Sequence, residues 1–305
     1  MKENNRFLNF IPISLLVKKE TVGTFAILLA TFFWGITFVL IKDAVSVLDV
    51  FTFLFWRFGV ASLLLFLFFF PTLRKIDASL LAHGLILGLL LGGTVVFQSI
   101  GLQYTSASHA SFITGLSVVF VVFFTSLLQK YFPPLRVVVG VLLAMFGLAL
   151  VTLHADFSVN IGDFWVLLCA FCFAGYIILA GKYTHLHGAL PLTIVQIVTI
   201  ALLSGFISLF TGSFVVPHGY LVWQAIIFCA VFASVLAFSL QIHFQKYVSP
   251  TKTAIIFVTE PLFATITAVI YAGEELSLSF IFGATLIFLA MLLTQLPLKK
   301  GKSFK

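Results

Sequence analysis

The sequence predicts an all-α integral membrane protein whose ten transmembrane helices form two inverted five-helix repeats. The first observation is composition. Of 305 residues, 61% are hydrophobic and 9% charged, 38 are Phe, and mean hydropathy is +1.19. Soluble domains average roughly 45–50% apolar and about 25% charged residues. Second, ten mostly apolar stretches of about 20 residues, the length that crosses hydrocarbon, follow one another with short gaps. Third, the last five stretches repeat residues of the first five. A chain this apolar cannot hide its surface from water. That excludes a soluble enzyme, a nucleic-acid binder, a disordered tail and a coiled coil as main readings.

Residues 1–21 are polar and basic around a short apolar core, Phe7 to Val17, too short to span. No small-residue cleavage site follows, so the segment reads as a cytoplasmic lead-in rather than a signal peptide, with an interfacial helix as an alternative. The spans then run near 22–42, 50–70, 80–102, 109–129 and 136–154 in a first repeat, residues 22–154. Those of the second repeat, residues 163–297, run near 163–182, 191–210, 220–241, 252–272 and 278–297. Turn and charge residues fill the gaps, among them Pro71 to Lys75, Pro133-Pro134, Asp156 to Asp163 and His185 to Gly188. A basic tail, 298–305, ends the chain. Three cysteines exclude a disulfide framework, and the Cys169/Cys172 pair sits inside an apolar stretch, where packing is the simpler reading than redox or zinc chemistry.

Charge orients the spans. With the N-terminus inside, the inner segments hold all but two of the 17 basic residues, the exceptions being Lys42 and Arg57. Asp43, Asp49, Asp156, Asp163, Glu274 and Glu275 fall outside. This asymmetry places both termini in the cytoplasm of a multi-pass protein of the cell (inner) membrane. The formal net charge of +7 therefore reports topology, not a nucleic-acid surface.

The halves align with an offset near 140, which matches Phe33, Gly35 and Lys42 to Phe173, Gly175 and Lys182. An offset of 143 matches Gln98, Tyr104, Ser106 and Gly140 to Gln241, Tyr247, Ser249 and Gly283. A repeat of five spans enters the membrane in opposite directions, the architecture that supplies two gates around one midplane site.

These features resemble a known family. The carrying motifs are Phe33 to Lys42 (FWGITFVLIK) in span one and Trp56-Arg57-Phe58 in span two. In the second half they are Tyr247 to Ala254 (YVSPTKTA), Glu260-Pro261-Leu262, Gly273-Glu274-Glu275 and Gly283. In order and spacing they resemble the EamA-type members of the drug/metabolite transporter superfamily over residues 22–297. The first half departs from the pattern, with Ser117-Val118 where the second has Glu260-Pro261. The resemblance implies export or uptake of small metabolites, often amino acids, by alternating access, and leaves the substrate open.

Polarity and position nominate Trp34, Thr37, Gln98, Ser111, Tyr176, Gln241 and Glu260 as substrate-binding residues. Glu260 lies about a third of the way across span nine, where a carboxylate must be paired, hydrated or protonated. It reads either as a cavity group binding a cation or proton or as a structural hydrogen bond at the Pro261 kink. Trp34, Thr37 and Phe38 share one helical face, and Tyr176 follows the matching place in span six. Gln98 and Gln241, equivalent in the repeat, need buried partners or water. Ser111, Thr114 and Gly115 share a face in a polar span start. Arg57 reads rather as a snorkelling cation pairing Asp49 or Asp43, and Lys42 and Lys182 as caps of their helix ends. The stripe Gly84, Gly88, Gly92 and the small face Gly140, Ala144, Gly147 suit close helix packing, in a moving bundle or a homodimer.

No cofactor or metal is expected, since the seven histidines show no i, i+4 pair. No nucleotide-binding or hydrolase motif is present, so the chain is not expected to be an enzyme. The expected function is a secondary carrier for amino acids or similar zwitterions, driven by substrate or proton gradients and working in the direction of export. An uptake carrier for another metabolite, a membrane enzyme or a channel is the alternative. A cysteine introduced as Asp156→Cys should react with an impermeant thiol reagent outside intact cells, and Ser303→Cys only after permeabilisation; the reverse pattern would remove the inverted-repeat argument.

Overall fold

Where no water reaches the backbone, a chain satisfies its N–H and C=O groups within helices or closed barrels. The computed structural model describes residues 13–130, 132–152, 160–272 and 278–295, and helix is the only repetitive structure among them. Most of the lead-in, the tail 298–305, Asp156 and Glu274-Glu275 lie outside the described residues.

The first half comprises α1 (Ile13–Val45), α2 (Val50–Phe69) with a 3₁₀ turn Phe70–Lys75, α3 (Ala78–Leu102), α4 (Ala107–Gly115), α5 (Ser117–Gln129) and α6 (Leu135–Thr152). The second comprises α7 (Ile161–Tyr183), α8 (Ala189–Phe210), α9 (Tyr220–Phe228), a π-helical segment Cys229–Leu236, α10 (Ala237–Gln245), α11 (Pro250–Phe257), α12 (Glu260–Ala272) and α13 (Leu278–Gln295). Seven described stretches are long and apolar enough to cross a membrane, the last of them Tyr220–Gln245 running through the π segment. Leu135–Val151 and Leu278–Thr294 are shorter apolar helices. The chain is a multi-pass membrane protein. Its outer face is as greasy as its inner one, with Phe25, Leu67, Phe171 and Phe206 exposed where lipid tails replace water.

Polar residues between the spans start the helices. Asp49 accepts the Thr52 amide at 3.0 Å, Asp77 the Leu80 amide at 2.7 Å, and Asn160 with Asp163 forms a capping box on α7. Each satisfies amides that a helix leaves unpaired at its first turn.

Two columns that read as continuous spans in the sequence are broken. Between α4 and α5, Leu116 N bonds Ile113 O at 3.0 Å and Val119 N bonds Leu116 O at 2.9 Å. Between α11 and α12, Thr259 N bonds Ile256 O at 3.0 Å and Leu262 N bonds Thr259 O at 3.1 Å. The second set is the first displaced by 143 residues, the sequence offset reproduced bond by bond. Pro261, which has no amide, explains the second break. No proline stands at the first.

The packing also exchanges between halves. α2 packs on α8 and α6 on α13; α7 packs on α3, α4 and α5, as α1 packs on α10, α11 and α12. The Gly84, Gly88, Gly92 stripe meets Val195, Thr199 and Ile200 of α8. On α6, a Cβ at Gly140 would lie 3.6 Å from Ala290 O, and one at Gly147 2.6 Å from Gly283 O. The offset of 143 turns Gly140 into Gly283 and Gly147 into Ala290, so the two contacts are one contact seen from both halves. The small face is thus an α6–α13 seam within the chain.

At Gly283 an added Cβ would sit 2.5 Å from a backbone oxygen, whereas at Gly59 nothing lies within 4 Å. Overpacking typically costs about 1–3 kcal/mol. Gly283→Val should therefore lower the melting temperature of the detergent-solubilised protein by several degrees, and Gly59→Ala should leave it unchanged or raise it.

Candidate functional site

Seven helices converge on one buried cavity. α1 contributes Trp34, Thr37 and Ile41, and α3 contributes Leu91, Thr94, Val95 and Gln98. Each set is a single helical stripe, at i, i+3 and i+7 on α1 and at i, i+3, i+4 and i+7 on α3. Arg57 of α2, Thr114 of α4, Phe173 of α7, Phe238 of α10 and Glu260 of α12 complete the lining. The cleft encloses about 40 Å³. A water takes roughly 10–15 Å³ by this measure, so the space suits a few waters.

The charges decide the chemistry. Arg57 is 3% exposed and Glu260 7%. Arg57 donates from Nε to Ser234 Oγ at 3.0 Å and lies 4.9 Å from the Phe58 ring centroid. Among the described residues neither Arg57 nor Glu260 forms an ion pair, with each other or with any side chain. A guanidinium and a carboxyl group therefore line one cavity without an ion pair between them. Glu260 owes its place to the helix break, since it opens α12 directly after the turn at Val258 and Thr259. Gly35 lets α1 approach that turn closely, for a Cβ there would lie 2.8 Å from Glu260 O.

The aromatic wall is also tied down. Trp34 Nε1 donates to Ala233 O at 3.0 Å, and the indole packs on Phe173, Phe238 and Phe257 at centroid distances of 5.1–6.3 Å. Thr37 Oγ1 donates back to Trp34 O at 2.7 Å, leaving lone pairs toward the cavity.

Of the residues nominated from sequence, Trp34, Thr37, Gln98 and Glu260 meet at this cavity. Ser111 is buried outside the lining, and Thr114, nearly one turn on, takes the lining position. Tyr176 and Gln241 sit behind the wall in a polar chain. Tyr176 Oη lies 3.3 Å from Gln196 Oε1 and 3.4 Å from Gln241 Oε1; Gln241 then donates to Gln245 at 3.0 Å, and Gln245 to Ile177 O at 2.6 Å. Two buried amides so close satisfy each other before they reach a cavity.

Arg57 differs from the snorkelling expectation. Asp49 is engaged with Thr52 and with Ser213 at 2.9 Å, and the guanidinium instead reaches inward to span eight. Seven residues of reach permitted the outward path; the serine that draws Arg57 inward comes from the other half of the chain, invisible to local spacing. Lys42 and Lys182 stand in the last turns of α1 and α7, as expected; Lys42 also donates to Thr105 O at 3.5 Å, and Lys182 is exposed. Among the described residues no three His, Cys, Asp or Glu side chains cluster as metal ligands would.

Comparison with known proteins gives this arrangement its context. The EamA-like transporter family matches the chain twice, over residues 21–153 and 160–296. A protein of Archaeoglobus fulgidus named "Uncharacterized transporter" is 32% identical over 282 residues, covering 91% of this chain and 87% of its own. The Bacillus subtilis "Uncharacterized transporter YyaM" is 27% identical over 277 residues, covering 85% and 89%. A solved crystal structure superposes with a TM-score of 0.75 at 17% identity, over 90% of this chain and 96% of that one, a likeness of fold alone. With a cavity at the meeting of both halves and two family matches spanning them, the chain belongs to the EamA-like transporter family.

Proposed function

We propose that the protein is a secondary carrier for small zwitterions, amino acids foremost, working by alternating access. The carrying observation is the unpaired Arg57 and Glu260 in one cavity. A zwitterion supplies a carboxylate for the guanidinium and an ammonium for the carboxylate, so both charges become paired at once. A phosphate ester would ask for several cations in the membrane, and among the described residues Arg57 is the sole one lining the cavity. The rings of Trp34, Phe173 and Phe238 accept an apolar side chain, and Thr37, Thr94, Thr114 and Gln98 accept its polar atoms.

The transport geometry follows from two five-helix units, 22–154 and 163–297, related by a pseudo-two-fold axis in the membrane plane. Ten spans result, with both termini cytoplasmic in the cell (inner) membrane. The exchange of packing partners between halves and the bond-for-bond match of the two helix breaks support this arrangement. Broken helices at corresponding places in two halves are the usual mark of a midplane site. The direction, export, is taken from the family likeness. Glu260 can also carry a proton on the empty carrier and release it as the ammonium enters.

The test is counterflow in proteoliposomes with a pool of ¹⁴C-labelled L-amino acids, set against lactate, ethanolamine and a sugar phosphate. A saturable preference for the amino acids is expected, and saturability separates a carrier from a channel. A hydrogen bond to a charged group is worth about 1.5–3 kcal/mol, or roughly 10–100-fold. Arg57→Gln and Glu260→Gln should each reduce counterflow of the best amino acid at least tenfold in well-expressed protein. A preference for the sugar phosphate would overturn the substrate class.

A further inference from the structure

Resting on the zwitterion reading above, we propose that the π-helical turn Cys229–Leu236 is the frame that aims the cavity's cation-bearing wall, with Ser234 as the positioning residue through which Arg57 engages a substrate carboxylate.

Span eight carries one residue more than its counterpart, 26 in Tyr220–Gln245 against 25 in Ala78–Leu102. Both end in the same turn, for Tyr104 N bonds Gly101 O and Tyr247 N bonds Phe244 O, each at 2.9 Å and 143 residues apart. Inside Cys229–Leu236 the ladder widens, and Ala237 N bonds Phe232 O five residues back instead of four. A widened turn of this kind is rare and clusters at functional sites. Where the ladder returns to four-residue spacing, one carbonyl is left to find another donor. In hydrocarbon it must find one within the protein.

The donors come from the other half of the chain. The carbonyl after Phe232, Ala233 O, receives the Trp34 indole, and the next side chain, Ser234 Oγ, receives Arg57 Nε, both at 3.0 Å. Trp34 and Arg57 both line the cavity. One irregular turn thus holds an aromatic and a cationic wall residue from α1 and α2. The choice of nitrogen has a chemical consequence. With Nε engaged, the guanidinium keeps its two terminal nitrogens, the end-on edge that binds a carboxylate bidentately. Ser234 touches no substrate in this account; it fixes which edge Arg57 presents.

The chain has four arginines, at positions 6, 57, 74 and 136, so the Nε spectrum of ¹⁵N-arginine-labelled protein in detergent is simple. The signal assigned to Arg57 through Arg57→Lys should move and exchange faster in Ser234→Ala, and return in Ser234→Thr. In counterflow of the pooled L-amino acids, Ser234→Ala should raise the half-saturating concentration about tenfold with maximal rate within twofold, and Ser234→Thr should restore it. If Ser234→Ala fails to fold, Ser234→Cys, a weaker acceptor of similar shape, should shift both readouts the same way by less. An unmoved Arg57 signal overturns the proposal, as does a lowered maximal rate or melting temperature with unchanged half-saturation. If the wild-type protein carries none of the pool, the zwitterion reading fails by itself. The spectrum then decides the frame alone, a moved signal supporting it and an unmoved one removing it.

Discussion

Backbone polar groups in hydrocarbon have no partner but the chain itself. That constraint makes every described span a helix, and it makes each departure from regular helix costly. Three departures lie within the spans, at Leu116, at Val258-Thr259 and in the π segment Cys229–Leu236. Each is repaired locally or by a cavity residue. Thr259 Oγ1 donates to Ile256 O at 2.7 Å, and Trp34 fills the acceptor at Ala233. Residues adjoining the breaks, Thr114 on one side and Glu260 on the other, line the cavity itself. Irregular backbone and polar cavity lining coincide because a cavity within the protein is where such backbone can be tolerated.

The same low dielectric governs the charges. An ionised side chain within the membrane costs at least a few kcal/mol and is kept where water, a partner or a ligand answers it. Lys252 and Glu20 answer each other as an ion pair joining α11 to α1. Arg57 and Glu260 stay apart across a cleft of about 40 Å³. Neither group is answered by an opposite charge among the described residues.

Much of this architecture is legible in the chain. The apolar stretches foretell helices, seven of them long and apolar enough to cross a membrane among the described residues, and the 143-residue offset recurs in the two helix breaks. The face holding Trp34 and Thr37, the amide at Gln98 and the acid at Glu260 all reach the cavity, since a helical stripe is a local property. What local reasoning misses depends on the other half. Arg57 turns inward because Ser234 waits there; Tyr176 and Gln241 turn to Gln196 and Gln245 instead of the cleft. The break at Leu116 has no proline to announce it, and an apolar window of 20 residues averages over it. The π turn has no residue signature at all.

That Ser117 stands where the other half has Glu260 bears on why both halves share one chain. An antiparallel pair of identical five-helix subunits would carry every site residue twice, two acids or none, and could offer only a guest as symmetric as itself. A fused gene is released from that rule. Here α8, the counterpart of α2, has no charged residue, and the acid survives on one side alone. Covalent linkage lets mutation act on one copy at a time, and here it leaves the cavity with one acid and one arginine from different halves.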